Sequence, residues 1–209
     1  MARLAGTAHF FTALGDDEVG RRCFQRLSEL GVTVHAAWRP EPQRRAVTFL
    51  DGQGERTITV IGPRLEPLSS DDLPWHLLDE CRGCYFTAGS FAEARRAGCV
   101  VATTRARGVQ PDVWIGSSAD EREAVFGDLM GARLLVMTEG SRGGRYWTEE
   151  GAGSWEACAL PGEPVDAYGC GDSFAAALAY GLGTGLSVAS ALEAAARCGA
   201  AVRCRRGPY

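Results

Sequence analysis

Apolar and polar positions along this chain follow two rhythms, one of helices and one of strands. In "DDEVGRRCFQRLSEL", residues 16–30, Phe24, Leu27 and Leu30 fall near one face and acids fill the first turn. That spacing predicts a helix, which Gly31 ends. "VTVHAAW" then alternates as a strand, and in "RRAVTFLDGQGERTITVIG" two alternating runs flank "DGQG", a hairpin signal. A helix is expected from Ser70 through "DDLPWHLLDE", with Pro74 in its first turn. Further on, "CYFTAG", "CVVATT", "DVWIG" and "RLLVMTEG" read as strands, with the short helix "SFAEARRAG" and the helical run "SADEREAVFGDL" among them. The continuous apolar run in "RLLVMTEG" is that of a buried parallel strand. "GGRYWTEEGAGSWEACAL" reads as a second hairpin, and "GDSFAAALAYGLGTG" and "SVASALEAAARCGAAVRC" as two closing helices. Strands alternating with helices predict an α/β fold, a sheet sandwiched between helices, with the first hairpin standing off it.

Composition removes several functions. The net charge of -4 over 209 residues lacks the basic excess of a nucleic-acid-binding surface. No apolar run reaches the length of a membrane span. Gly6, Thr7 and His9 interrupt the first stretch, so no signal peptide is expected and the chain reads as cytoplasmic. All 22 basic residues are arginines. Without lysine there is no Walker-A phosphate loop, no protein-kinase chemistry and no Schiff base. The 8 cysteines include Cys81 and Cys84 in "CRGC". No second, well-spaced pair accompanies them, so they read as packing thiols rather than a redox or zinc site. "GLGTG" resembles part of a dinucleotide fingerprint but ends a helix instead of following a strand, and reads as a turn.

The chemistry concentrates in "DAYGCGDSF", residues 166–174. Gly169, Cys170 and Gly171 sit where a loop becomes a helix, so backbone N–H groups there have no internal partner and the helix dipole is positive. Glycines let that backbone approach an anion closely, which makes a phosphate or oxyanion cradle. Asp172 lies in the first helical turn. As a lone residue it reads as a cap; beside such a cradle it can take the proton of an attacking hydroxyl.

This stretch resembles the C-terminal signature of the ribokinase/PfkB carbohydrate kinases, D-T-x-G-A-G-D-x-F. It matches at Asp166, Gly169, Gly171, Asp172 and Phe174, with Cys170 where alanine is usual. Other stretches agree in order. "ALGDDEVG" resembles the family's G-x-D-x-x-G at Gly15, Asp17 and Gly20, and "TEGSRGG" resembles its T-x-G-x-x-G nucleotide loop. "DERE" aligns with N-x-x-E, Asp120 replacing the asparagine and Glu123 kept.

The resemblance spans the chain, 1–209 as one domain. It implies a ribokinase-like three-layer α/β/α sandwich, with a mostly parallel central sheet and a β-hairpin lid at about 44–62. It also implies transfer of the ATP γ-phosphoryl group to a primary hydroxyl of a sugar-like substrate. Asp172 would be the base, and the N–H groups of Gly169, Cys170 and Gly171 would bind the charge that grows on phosphate oxygens. Thr138, Gly140 and Gly143 would flank the nucleotide, and Mg2+ would lie near Glu123 and Asp120. Asp166 would sit beside a monovalent cation such as K+, and two copies would associate through the lid. Relatives begin with a strand and a Gly-Gly segment that no residue here matches, so an N-terminal truncation is expected. The alternative reading is then a non-catalytic, nucleotide-binding remnant.

Overall fold

The computed structural model describes residues 2–50, 56–106, 108–120 and 131–206. The chain divides into two compact units, residues 2–74 and residues 75–209.

In the first unit a short helix α1 (Ala2–Ala5) precedes strand β1 (His9–Gly15), helix α2 (Glu18–Glu29) and strand β2 (Thr33–Arg39). Strands β1 and β2 pair in parallel, His9 opposite Thr33 and Gly15 opposite Arg39. The three residues of "ALGDDEVG" that stand out in the sequence form the joint between β1 and α2. Asp17 caps the helix through Oδ1, which accepts the Gly20 N–H at 2.8 Å, while Oδ2 accepts the Gln43 N–H at 3.0 Å. A Cβ on Gly20 would lie 1.9 Å from the Gly15 carbonyl oxygen, so the turn closes only around a glycine. These backbone donors, Gly20 first, hold the Asp17 carboxyl below its usual range.

The hairpin follows as β3 (Arg45–Leu50) and β4 (Arg56–Ile61), an antiparallel sheet of its own with Val47 opposite Thr59. Its "DGQG" turn lies outside the described residues.

The helix expected from Ser70 is shorter and tighter, a single 3-10 stretch at Trp75–Glu80. Asp71 is drawn away instead. Its carboxylate takes two N–H groups of Arg39, at 2.8 and 2.6 Å, and the Leu68 N–H at 2.7 Å. Pro74 also disfavours helical geometry at Leu73, so the coil begins only after the proline.

The second unit carries a six-stranded sheet in the order β10-β9-β8-β7-β6-β5. Strands β5 (Cys84–Phe86), β6 (Val100–Thr103), β7 (Val113–Ser117) and β8 (Leu134–Thr138) run parallel. The second hairpin, β9 (Gly144–Thr148) and β10 (Gly151–Trp155), extends the sheet antiparallel. Helix α3 (Phe91–Ala94), capped by Ser90, lies between β5 and β6 in sequence. Helices α4 (Cys170–Gly183) and α5 (Val188–Arg203) close the chain. They cover one face of the sheet, where Phe174, Leu178 and Leu192 bury Val101, Val113, Ile115, Leu134 and Val136. On the other face Phe86, Val100, Ala102 and Trp114 pack with Ala94 and Phe91. Continuous apolar strands follow from this burial on both sides. The helical run expected from "SADEREAVFGDL" falls largely outside the described residues. "GLGTG" is the turn expected of it, with Thr184 as the C-cap of α4 and Gly185 at a φ of 86°.

Candidate active site

The expected anion cradle falls at the first turn of α4. Gly169 is the residue before the helix and holds φ 82° and ψ -1°, the left-handed region that glycine enters at little cost. No side chain caps this end. The Gly169 carbonyl accepts the Ser173 N–H at 2.9 Å, and the Cys170 N–H reaches the Ala167 carbonyl at a long 3.4 Å. A Cβ placed on Gly171 would meet nothing within 4 Å. Space is therefore open beside the first helical turn, and the start of a helix leaves backbone N–H groups without intrahelical partners, as an anion-binding turn requires.

The loop that leads in is pinned from behind. The Val165 and Asp166 N–H groups both donate to the Arg203 carbonyl at the end of α5, at 2.9 and 3.2 Å. Asp166 Oδ1 accepts the Tyr168 N–H at 3.0 Å and shapes the turn. Gly199 on α5 backs against the cradle, its absent Cβ only 3.3 Å from the Cys170 carbonyl oxygen.

Asp172 is exposed, and its Oδ1 accepts a hydrogen bond from the Tyr85 hydroxyl at 2.9 Å. Tyr85 on β5 did not stand out in the sequence. Its partner is 87 residues away, so no local spacing could reveal it.

The other expected residues lie at the C-terminal ends of β7 and β8. Thr138 ends β8, donates through its hydroxyl to the Gly116 carbonyl at 3.2 Å and offers its own carbonyl to the Ser118 N–H at 2.9 Å. Gly140 starts a 3-10 turn, and an added Cβ there would also meet nothing within 4 Å. Gly143 is different: its Cβ would fall 2.0 Å from the Trp155 carbonyl oxygen, so it is a glycine for packing. Asp120 follows β7, donates its N–H to the Ser117 carbonyl at 3.2 Å and pairs with Arg105. Glu123 lies outside the described residues. No group of three or more His, Cys, Asp or Glu gathers as a metal cage among the described residues.

A cavity of about 310 Å³ opens between the exit of β10 (Trp155, Glu156, Ala157, Cys158) and α5 (Glu193, Ala196, Arg197). The Thr138–Gly143 loop adjoins its wall. Gly143 abuts Trp155, and Gly199, three residues beyond Ala196, abuts Cys170. Strands β8 and β5 are three spacings apart, about 14 Å, so the Thr138 loop and the Tyr85–Asp172 pair mark two ends of one edge.

None of the eight cysteines is in a disulfide; Cys99 is buried and the others are partly exposed. Burial pushes the Cys84 thiol up to about 12, with Cys81 and Cys99 adding to the effect. A thiol held neutral in this way is a poor nucleophile and a poor metal ligand.

A search of curated proteins finds no match to the sequence. Among solved structures, the fold is similar to a probable sugar kinase from Rhizobium etli (TM-score 0.79, 19% identity, covering 99% of this chain and 74% of that one). It is also similar to an adenosine kinase from Sinorhizobium meliloti (TM-score 0.78, 20% identity, 99% of this chain and 75% of that one). A putative ribokinase II from E. coli, solved in complex with ATP and Mg2+, matches with a TM-score of 0.73 and 19% identity over 99% of this chain and 80% of that one. These likenesses establish the ribokinase-like α/β fold. The family model for pfkB carbohydrate kinases matches residues 1–112 and 112–209, and with the signature loop and the fold in agreement, the chain belongs to the pfkB family of carbohydrate kinases.

Proposed function

We propose that the protein transfers the γ-phosphoryl group of ATP to a primary hydroxyl of a sugar or nucleoside, with Asp172 as the general base. The observation that carries this reading is the open first turn of α4, where Gly171 faces empty space and an exposed carboxylate stands one residue on. A cap needs no such opening, whereas a phosphate does. The triphosphate would lie along the sheet edge between the Thr138–Gly143 loop and the cradle, and the nucleoside would occupy the cavity at Trp155–Cys158 and α5. Its volume is within the range of small-molecule sites.

A nucleotide-borne magnesium would lie near Asp120, whose carboxylate pairs with Arg105, and Glu123. Such an ion takes most ligands from phosphate and water and needs only one or two carboxylates, which Asp120 and Glu123 would supply. Magnesium would offset phosphate charge, and Asp166 would lie nearest a monovalent cation such as K+. The chain's own part is to orient the phosphate on the amides of Gly169, Cys170 and Gly171 and to accept the hydroxyl proton on Asp172. The exposed apolar side chains of the hairpin, Val47, Phe49, Ile58, Val60 and Ile61, would support self-association of two copies. Sedimentation of Phe49→Glu as a smaller species than the wild type checks that part.

The deciding experiment is ADP release over a panel of sugars and nucleosides. Asp172→Ala is expected to cut turnover at least about a hundredfold with ATP affinity nearly intact. Unchanged turnover would remove the base. ATP binding without turnover on any acceptor would leave the chain a nucleotide-binding relative of the kinases.

A further inference from the structure

The base is not left to find its own orientation. Tyr85 lies on β5 opposite Val101 in the sheet, and its ring packs against the core that α4 and α5 share with the strands. For packing, a phenylalanine would serve; the hydroxyl donates to Asp172 Oδ1 at 2.9 Å. The reach is set by backbone contacts between α4 and the residues just before β5. A Cβ on Gly83, two residues before Tyr85, would fall 2.2 Å from the Ala179 carbonyl oxygen, and one on Gly183 would fall 2.2 Å from the Arg82 carbonyl oxygen. The residues that lead into β5 therefore touch the C-terminal half of α4 directly. The tyrosine ring spans the remaining gap to the helix N-terminus.

We propose that Tyr85 is the positioning residue of the phosphoryl transfer, holding Oδ1 of Asp172 so that Oδ2 turns to the acceptor hydroxyl. The proposal rests on the reading of Asp172 as base. In the step, Oδ2 takes the hydroxyl proton and the acceptor oxygen forms a bond to the γ-phosphorus. The bond from that phosphorus to the β–γ bridging oxygen breaks, and ADP leaves with the electron pair. With Oδ1 occupied by Tyr85, the carboxylate does not rotate away between turnovers. The donor is neutral, so it orients the carboxylate without cancelling its charge.

Tyr85→Phe removes the hydroxyl and keeps the ring. The expected result is a drop in kcat of about ten- to a hundredfold, the scale of one hydrogen bond to a charged group. KM for ATP and for the acceptor, and the urea midpoint, are expected to stay unchanged. In the Asp172→Ala background, Tyr85→Phe is expected to add no further loss, since it acts through Asp172. A readout independent of turnover is the 19F resonance of 3-fluorotyrosine at Tyr85, assigned by its disappearance in Tyr85→Phe, which is expected to move in Asp172→Ala. If Tyr85→Phe keeps kcat within about twofold while Asp172→Ala collapses it, positioning is overturned and the kinase reading stands. A rise in KM with a fall in kcat and midpoint together would make Tyr85 a structural residue and overturn positioning as well. If Asp172→Ala or the wild type shows that no base operates, the functional reading fails and this proposal falls with it.

Discussion

Gly83 and Ala179 meet backbone to backbone, since a Cβ on the glycine would lie 2.2 Å from the alanine carbonyl oxygen. That contact places the start of β5 on the side of α4, and neither partner is the end of a flexible side chain that can swing away. Gly83→Ala is therefore expected to destabilise the protein by about 1–3 kcal/mol, the cost of overpacking a filled site. Gly183→Ala is expected to do the same against Arg82, although alanine is the better helix former by about 1 kcal/mol. A lowered urea midpoint for both variants is the check. A rise for Gly183→Ala would mean that helix propensity, not the contact, decides there.

Acid is expected to weaken the first unit through Asp17 and Asp71. Backbone donors hold the Asp17 carboxyl down, and the Arg39 guanidinium does so for Asp71, with help from the Leu68 N–H. Both folded-state values lie below that of a free aspartate, so the native chain binds fewer protons than the unfolded one as pH falls past that point. Their contribution is complete above about pH 4 to 5 and is lost as pH falls through the depressed values. Unfolding midpoints measured from pH 6 to pH 2 should drop less steeply for Asp71→Asn and Asp17→Asn than for the wild type, from a lower starting level at pH 6. Parallel curves would exclude the linkage.

How far the sequence reached depends on the range of each interaction. The helix at residues 16–30, both hairpins and the closing helices were legible because their signals are local: apolar spacing, Asp17 at a cap, glycines at turns. The glycine start of α4 was legible for the same reason, since Gly169 to Asp172 are consecutive. The helix placed at Ser70 failed because Asp71 is claimed by Arg39, 32 residues earlier, which outweighs a local start signal. Tyr85 and the cavity walls at Trp155–Cys158 and Glu193–Arg197 could not be read at all. Each is assembled by tertiary packing from segments that look like ordinary strand and helix. Gly143 and Gly140, alike in the motif, proved to differ, one filled by Trp155 and the other open.

Alkali acts on the other unit through its thiols. Cys84 is pushed from 9.0 up to about 12 by burial, and Cys81, Cys99 and Cys198 move in the same direction for the same leading reason. Between those limits the unfolded chain releases protons that the native chain keeps, so stability is expected to fall as pH rises above about 9. Cys84→Ala should flatten part of that decline, leaving the share of the other three. Native alkylation at pH 8 should leave Cys84 unlabelled until denaturant is added. Rapid labelling of Cys84 in the native state would show an exposed thiolate and revive the CxxC motif as a reactive pair.

Gly171 separates function from stability. Its missing Cβ faces open space, so Gly171→Ala creates no clash in the protein itself. Alanine also suits a helical residue better than glycine, by up to about 1 kcal/mol, so the urea midpoint should hold or rise slightly. The open space is where a phosphate would press against the amides, however, and a methyl group there holds it off. Losing one aligned donor in such a site costs on the order of a hundredfold in turnover, and Gly171→Ala is expected to lose at least about tenfold by the same effect. Cys170→Ala keeps every amide and is expected to stay within about twofold of the wild type, because the cradle works through backbone. ADP-release rates beside unfolding curves decide the matter. Full turnover by Gly171→Ala would place the transferred phosphate somewhere other than the first turn of α4.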